Sequence, residues 1–205
     1  SGKRERPRFE MCDFRGRSRD FNREYPVVLS TAYSVKGTLS SDHIYDWLIV
    51  DEASQVDLVT GVLAFSCARN IVIVGDLRQL PNVLDSENAR KSEEIWVRRN
   101  LPEIYRFSRH SLLSSAAAAW PESPAVLLRE HYRCHPKIIN FCNQKFYGGR
   151  LIVMTEDRRE PDVLTMYRTA AGNHARGRLN QRQIDVIREE VLPRLKKRGY
   201  ESVGI

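Results

Sequence analysis

Short apolar runs alternate with amphipathic segments along much of the chain. Most of these runs are apolar at every position, which is typical of strands buried on both faces of a parallel sheet. The sequence predicts strands at residues 27–30, 47–50, 71–74, 125–128, 163–167 and 202–205.

Between these runs, apolar residues recur with the spacing of one helix face. The predicted helices span residues 57–68, 136–146 and 180–197. Asp57 and Asn180 are residue types that favour the N-cap, and Pro136 favours the first helical turn. Gln183 follows Asn180 at the spacing of a capping box. Pro193 is expected to kink or restart the last helix, because proline lacks the N–H group that a helix needs.

Strands that alternate with helices predict an α/β fold with a parallel sheet. Pro121 and Pro124 enclose two polar residues and mark the best candidate for an internal boundary. The chain is therefore predicted to have a basic arm or the end of an upstream element at 1–25, a first domain at 26–121 and a second domain at 122–205.

The net charge of the chain is +7, from 33 lysines and arginines against 26 aspartates and glutamates. This excess suits a polyanionic partner such as nucleic acid. No apolar run approaches the ~20 residues of a membrane span, and no apolar segment follows the first residues, so neither a span nor a secretory signal is expected. The 4 scattered cysteines favour a reducing, intracellular location, which would be cytoplasmic, or nuclear in a eukaryote.

Two adjacent carboxylates, Asp51 and Glu52, follow the apolar run at 47–50. A strand that ends in acids delivers them to the carboxyl edge of a sheet, where open α/β folds bind ligands. In nucleotide hydrolysis the first acid can hold Mg²⁺ and the second can activate the attacking water. The alternative is that both acids simply stabilise the first turn of the following helix.

A second polar turn, containing Gly75, Asp76 and Gln79, follows the run at 71–74. Gly75 would let the backbone approach a ligand closely, and the Gln79 amide could donate to a phosphate oxygen. A common Gly-Asp turn without function is the alternative. Two acid-tipped strands together favour a shared phosphate site.

A third segment, 128–149, places Arg133 at a strand-to-helix junction, where a guanidinium can stabilise charge on a transferring phosphoryl group. The same segment contains residue types that bind zinc. Their spacing lacks a zinc-knuckle pattern, which argues against a zinc site formed by His131, Cys134, His135 and Cys142.

Three motifs in this order resemble motifs II, III and IV of Superfamily 1 helicases, and within them the 1B branch that includes the nonsense-mediated-decay helicase. They read Asp51-Glu52-Ala-Ser-Gln55, then Gly75-Asp76-x-x-Gln79-Leu-Pro81, then His131-Tyr132-Arg133-Cys134-His135-Pro136 followed by Phe146-Tyr147-x-Gly149. The resemblance covers about residues 26–205.

The resemblance implies RecA-like lobes of the P-loop NTPase class that bind ATP and Mg²⁺. It assigns Mg²⁺ binding to Asp51, the general base to Glu52 and nucleotide binding to Asp76 and Gln79, with Gln79 sensing the γ-phosphate. Arg133 would act as an arginine finger across the cleft between the lobes.

The resemblance also implies a nucleic-acid partner, single-stranded DNA or RNA. Residues 28–31 resemble the motif whose hydroxyl groups contact the nucleic-acid backbone, which assigns this role to Ser30 and Thr31. Asn180-x-x-Gln183 resembles an element of the second lobe, with glutamine in place of glutamate.

The sequence departs from the family at both ends. It contains no Gly-x-x-x-x-Gly-Lys-Ser/Thr phosphate loop, and motifs V and VI are missing. Both lobes are therefore expected to be incomplete, in a fragment of an ATP-dependent helicase or translocase that binds ATP poorly by itself. The alternative is a non-catalytic nucleic-acid-binding or assembly module.

Overall fold

The computed structural model describes residues 7–10, 12–172, 175–177, 179–199 and 202–204. The chain forms two compact units, Ser1–Val126 and Leu127–Ile205. The division falls a few residues after the prolines at 121 and 124. Both units combine helices with small sheets. Within the described residues, the first unit has one parallel pair of strands, and the second has one parallel and one antiparallel pair.

The first unit contains most of the helical residues. Its elements are α1 (Asp13–Gly16), α2 (Ser18–Glu24), a 3₁₀ turn (Val35–Thr38), β1 (Tyr45–Val50), α3 (Leu58–Phe65), β2 (Ala68–Ile73), α4 (Ser86–Arg99), a second 3₁₀ turn (Glu103–Tyr105) and α5 (Leu112–Ala119).

The strands predicted at 47–50 and 71–74 are confirmed as β1 and β2, which pair in parallel with Trp47 opposite Asn70 and Val50 opposite Ile73. The predicted helix at 57–68 is confirmed as α3. Asp57 caps it, since its carboxylate accepts a hydrogen bond from Thr60 N at 2.9 Å.

Burial on both faces of the sheet, however, is wrong for β1. Trp47 and Ile49 are 63% and 67% exposed, whereas Val50 is buried. The reason is that side chains alternate along a strand, and the buried cluster with Ala53 and Leu112 lies on one side only.

Gly61 allows α3 and α5 to approach each other. A Cβ at this position would overlap the Leu112 side chain, inside the buried cluster. We expect Gly61→Ala to destabilise the chain by ~1–3 kcal/mol, because the buried leucine must move. Urea unfolding of the full chain measures this change. The control is Gly16→Ala in α1, where a Cβ meets nothing within 4 Å; equal effects of the two variants would contradict the prediction.

The second unit is built around a short parallel pair of strands. Its elements are β3 (Glu130–His131), α6 (Pro136–Tyr147), β4 (Ile152–Val153), β5 (Ala175–Arg176), β6 (Leu179–Asn180), α7 (Gln181–Val186), a π-helical turn (Ile187–Val191) and α8 (Leu192–Lys197). β3 pairs with β4 in parallel, and β5 pairs with β6 antiparallel.

The helices predicted in this unit are confirmed. α6 begins at Pro136, and Asn180 caps α7 by accepting a hydrogen bond from Gln183 N at 3.2 Å. The irregularity expected at Pro193 takes the form of the π-helical turn that ends at Val191, directly before α8. Buried Asn143 links α6 to the start of β4, because its side-chain oxygen accepts a hydrogen bond from Leu151 N at 2.9 Å.

The strands predicted at 27–30, 125–128 and 163–167 are wrong, and residues 202–204 are likewise not in a strand, while residue 205 lies outside the described residues. A strand requires a hydrogen-bonded neighbour, and these segments have none within the described part of the chain. Their apolar side chains point to solvent, with Leu29 and Met166 at least 90% exposed. In the described ranges, no helix combines the length and the apolar character that crossing a bilayer requires.

Candidate active site

The ends of β1 and β2 form one continuous edge. Because the two strands are parallel neighbours, their carboxyl ends coincide. Val74 N donates to Val50 O at 2.8 Å, and Ala53 N donates to Val74 O at 2.9 Å. These bonds bring the segment with Asp51 and Glu52 alongside the segment that leads to Asp76.

Asp51 and Glu52 are both exposed, in a turn and not in a helix. Glu52 has a left-handed backbone with φ of 50°, and its N–H donates to Asp51 Oδ1 at 2.9 Å. Such a conformation costs a residue with a side chain ~1 kcal/mol, and it is found disproportionately at functional sites. The alternative that these acids stabilise the first turn of a helix is wrong, because α3 begins at Leu58 with Asp57 as its cap.

The turn that contains Asp51 and Glu52, the acidic turn, continues into two buried residues. Ala53 and Ser54 are almost fully inaccessible, and Ala53 O accepts from Leu113 N at 3.2 Å. Leu112 N donates to Val56 O at 2.8 Å, so the first residues of α5 support the turn from below. The sequence reasoning missed this role of α5, although Ser111 and Ser114 form a capping box that signals its start.

Gly75 follows β2 and packs closely against the residues that follow β1. A Cβ here would lie 3.1 Å from Ala53 N and 3.2 Å from Ser54 N. Gly75 therefore packs against the backbone of the acidic turn, and its close approach to a ligand stays a prediction. Its conformation is ordinary, so the requirement is for space and not for a positive φ.

Asp76 and Gln79 lie in the turn that follows β2. The Asp76 carboxylate accepts from Arg78 N at 2.9 Å, and Gln79 N donates to Asp76 O at 3.1 Å. The Gln79 side chain is exposed. Asn82 N then donates to Ser54 O at 3.2 Å, so the turn is anchored at its far end to the acidic turn.

Carboxylate oxygens are the ligands that Mg²⁺ prefers in proteins. Asp51 accepts the Glu52 N–H through Oδ1, which fixes the carboxylate while Oδ2 can face a cation. The exposed Asp51 carboxylate at this edge therefore fits a magnesium ion, which would neutralise phosphate charge there.

Ser30 and Thr31 are exposed residues before the first 3₁₀ turn. Ser30 Oγ donates to Thr31 O at 3.1 Å, and Thr31 Oγ1 accepts from Ser34 N at 3.2 Å. Both hydroxyl groups therefore bond within their own loop, and both residues lie at the surface.

Arg133 belongs to the second unit, in the turn between β3 and α6, and it is exposed. The nearby acid Glu130 accepts a hydrogen bond from the Tyr132 hydroxyl, which raises the pKa of Tyr132. Within the described ranges Arg133 forms no ion pair. Its neighbour His131 accepts the Cys134 N–H at Nε2, at 2.8 Å.

His135 forms a cluster with acids that the sequence reasoning missed. Its Nε2 lies 3.3 Å from both Asp157 Oδ1 and Glu160 Oε2. Its Nδ1 caps α6 by accepting from Lys137 N at 3.1 Å, so the hydrogen of the neutral ring sits on Nε2 and points at the carboxylates. This arrangement suits a histidine–carboxylate hydrogen bond better than a metal site. More than 20 residues separate His135 from the acids, so no local pattern signals the cluster.

The family model described as AAA domain matches residues 3–87, which include β1, β2, the acidic turn and Gln79. The chain is 32% identical to the DNA replication ATP-dependent helicase/nuclease DNA2 of Mus musculus over 132 residues, which is 62% of this chain. It is 28% identical to the 5'-3' DNA helicase ZGRF1 of Mus musculus over 152 residues, or 73% of this chain.

Its relatives are helicases. A plant relative, the DNA replication ATP-dependent helicase/nuclease JHS1 of Arabidopsis thaliana, is 31% identical over 125 residues, or 61% of this chain. The chain spans only a small share of each relative's length: 10% of the mouse helicase/nuclease, 7% of the mouse 5'-3' helicase and 8% of the plant protein.

Proposed function

We propose that this chain is the part of an ATP-dependent Superfamily 1B helicase that carries motifs II to IV, within RecA-like lobes. The observation that carries the proposal is the joined edge of β1 and β2, where the acidic turn and the Gln79 turn are hydrogen-bonded to each other. The matching AAA domain and the helicase relatives support the same activity.

In this proposal the acidic turn performs the hydrolysis. Asp51 would hold Mg²⁺, which would neutralise phosphate charge when bound. Glu52 accepts a proton from the attacking water, and its exposed carboxylate lies where a solvent molecule can reach it. Asp76 orders its own turn, from which the Gln79 amide contacts the γ-phosphate.

Arg133, Ser30 and Thr31 would bind the phosphoryl group and the nucleic acid. Arg133 would stabilise charge on the transferring phosphoryl group. Ser30 and Thr31 would donate hydrogen bonds to the backbone of single-stranded DNA or RNA. Such a protein would work inside the cell, in the cytoplasm or, in a eukaryote, the nucleus.

Nucleic-acid-stimulated ATP hydrolysis tests the proposal. The assay compares this chain with a longer protein that adds an upstream phosphate loop, each with and without single-stranded DNA and RNA. If the longer protein hydrolyses ATP and this chain does not, the result supports a helicase fragment. Nucleic-acid binding without hydrolysis by either protein would instead support the non-catalytic module.

Binding of single strands by this chain should be sequence-independent and strongly salt-dependent. The net charge of +7 favours phosphate contacts, and each contact releases a counterion. We expect affinity for labelled oligonucleotides to fall at least tenfold between about 50 mM and 200 mM salt. Fluorescence anisotropy measures it, and affinity that is indifferent to salt would argue against a phosphate-binding surface.

Gly75→Ala tests whether the two strand ends must touch. The added methyl group meets the backbone at Ala53 and Ser54, which cannot rotate away, so the acidic turn must shift. The shift needed at these distances is a few tenths of an ångström. Since a displacement of about 1 Å can cost roughly 100-fold in rate, we expect a smaller loss, up to about tenfold, in ATP turnover by the longer protein. Gly37→Ala is the control, since its Cβ would meet only the Arg15 side chain at 3.6 Å. Unchanged turnover in Gly75→Ala would show that this contact is dispensable.

A further inference from the structure

A long apolar groove lies in the first unit, bordered by α3 and α4. Its volume is about 750 Å³, and apolar and aromatic side chains dominate its walls. The residues that shape it are Val59, Val62, Ile95, Trp96, Tyr105 and Phe107.

The α4 wall of this groove is held rigidly. The Arg106 guanidinium lies 4.3 Å from the centre of the Trp96 ring, and Trp96 Nε1 donates to Pro102 O at 3.3 Å. Arg106 also binds Glu93 through two nitrogens, at 2.9 and 2.7 Å. Arg106, together with a hydrogen bond from Ser108, lowers the pKa of Glu93 to about 2, so the carboxylate stays ionised. Trp96 is therefore positioned before any partner binds.

The α3 wall is apolar and open to solvent. Val59 and Val62 are 70% and 63% exposed, and Ile95 and Tyr105 opposite them are about half exposed. A contiguous apolar surface of this kind, beside a rigid aromatic side chain, is typical of an interaction site.

The α4 wall of the groove carries a cationic side chain. Among the described residues that line the groove, Lys91 is the charged one and none is a carboxylate. Lys91, Ile95 and Arg99 follow one another at the four-residue spacing of a single face of α4. Lys91 pairs with Glu87 at 2.6 Å, but both side chains are more than half exposed, so the pair is easily exchanged. Within the described ranges Arg99 has no ion-pair partner.

We propose that this groove is a docking site for an acidic amphipathic helix of a partner protein. The apolar face of such a helix would fill the groove against Trp96 and Val62, in the helix-in-groove mode. Its carboxylates would meet Lys91 and Arg99, which lie about 12 Å apart along α4 at 1.5 Å per residue. This spacing corresponds to two turns of the partner helix.

The probe is a synthetic peptide of about 14 residues, with leucines at positions i, i+3, i+4 and i+7 and glutamates on the flanks. Two control peptides have the same leucines with lysine flanks, or the same composition with leucines at every second position. Binding to the full chain is followed by Trp96 fluorescence in a background with Trp47→Phe and Trp120→Phe. We expect the acidic helical peptide to bind at least tenfold more tightly than either control.

Variants locate the binding surface. Val62→Glu should weaken the peptide at least tenfold, because it places a carboxylate on the apolar wall, and Val59→Glu is a second variant of the same wall. Val97→Glu is the matched control: Val97 is 67% exposed on α4 but does not line the groove, so binding should change less than twofold. Lys91→Glu should weaken binding several-fold, and the effect should shrink as salt rises.

Three results would overturn the proposal. Equal binding of the three peptides would remove the requirement for an acidic helix. Unchanged affinity in folded Val62→Glu and Val59→Glu, checked by thermal melting, would place the peptide elsewhere. A dimer of the unmodified chain that Val62→Glu converts to monomer, measured by sedimentation, would make a second copy the occupant.

Discussion

Replacing Glu52 with glutamine is expected to lower ATP hydrolysis by about two to four orders of magnitude, the usual contribution of a general base. Glutamine keeps the size and the hydrogen-bonding surface of the side chain but cannot accept the proton of the attacking water. ATP binding should persist, because Asp51 and Gln79 remain in place. Turnover and nucleotide affinity are measured in the longer protein that adds an upstream phosphate loop.

Two further variants separate chemistry from structure at this position. Glu52→Gly removes the carboxylate while suiting the left-handed backbone, so it should abolish hydrolysis without lowering the melting temperature. Glu122→Gln is the matched control, since Glu122 is an exposed glutamate in a loop of the same unit. Near-normal turnover in Glu52→Gln would exclude Glu52 from the mechanism.

The local part of this site could be predicted from sequence. The apolar run at 47–50 forms β1 because it pairs with β2, and the residues that follow it, Asp51 and Glu52, then lie at the end of a strand. Capping is local, because Asp57 and Asn180 bind N–H groups only three residues away. The caps lie within a few residues of the chain, so no tertiary information is needed to predict them.

Three segments predicted as strands, 27–30, 125–128 and 163–167, do not form strands. Residues 27–30 have the composition of a strand, yet Leu29 is almost fully exposed. Apolar composition indicates what a segment would do beside a partner strand, but it does not supply that partner. The same limit explains why Trp47 and Ile49 were expected to be buried.

Missed helices have a different cause. α4 carries few apolar residues, since charged pairs such as Lys91 with Glu87 occupy its exposed face. α5 depends on a serine pair for its cap, in place of the glutamate or glutamine that usually marks a capping box. Because α5 supports the acidic turn and α4 borders the apolar groove, the weakest sequence signals belong to elements that shape both candidate sites.

Arg133 offers the second large effect, a loss of turnover without a loss of stability. We expect Arg133→Ala to reduce ATP hydrolysis by the longer protein by about 1,000-fold or more, the range of catalytic arginines in phosphoryl transfer. Ground-state ATP affinity should change much less, because the guanidinium meets charge that develops in the transition state. Arg133→Lys should not restore the rate, since an ammonium group lacks the planar fork of donors.

A purely structural role for Arg133 predicts the opposite pair of results, a lower melting temperature with normal turnover in the folded enzyme. The local contacts argue against that role: Glu130, the nearest acid in sequence, is engaged by the Tyr132 hydroxyl, and Arg133 is exposed. Arg129 is the matched control, because its side chain donates to Arg150 O at 2.6 Å and so braces the fold. Arg129→Ala should therefore lower the melting temperature and spare turnover, whereas Arg133→Ala should do the reverse. Measuring both quantities on one preparation of each variant distinguishes a catalytic arginine from a bracing one.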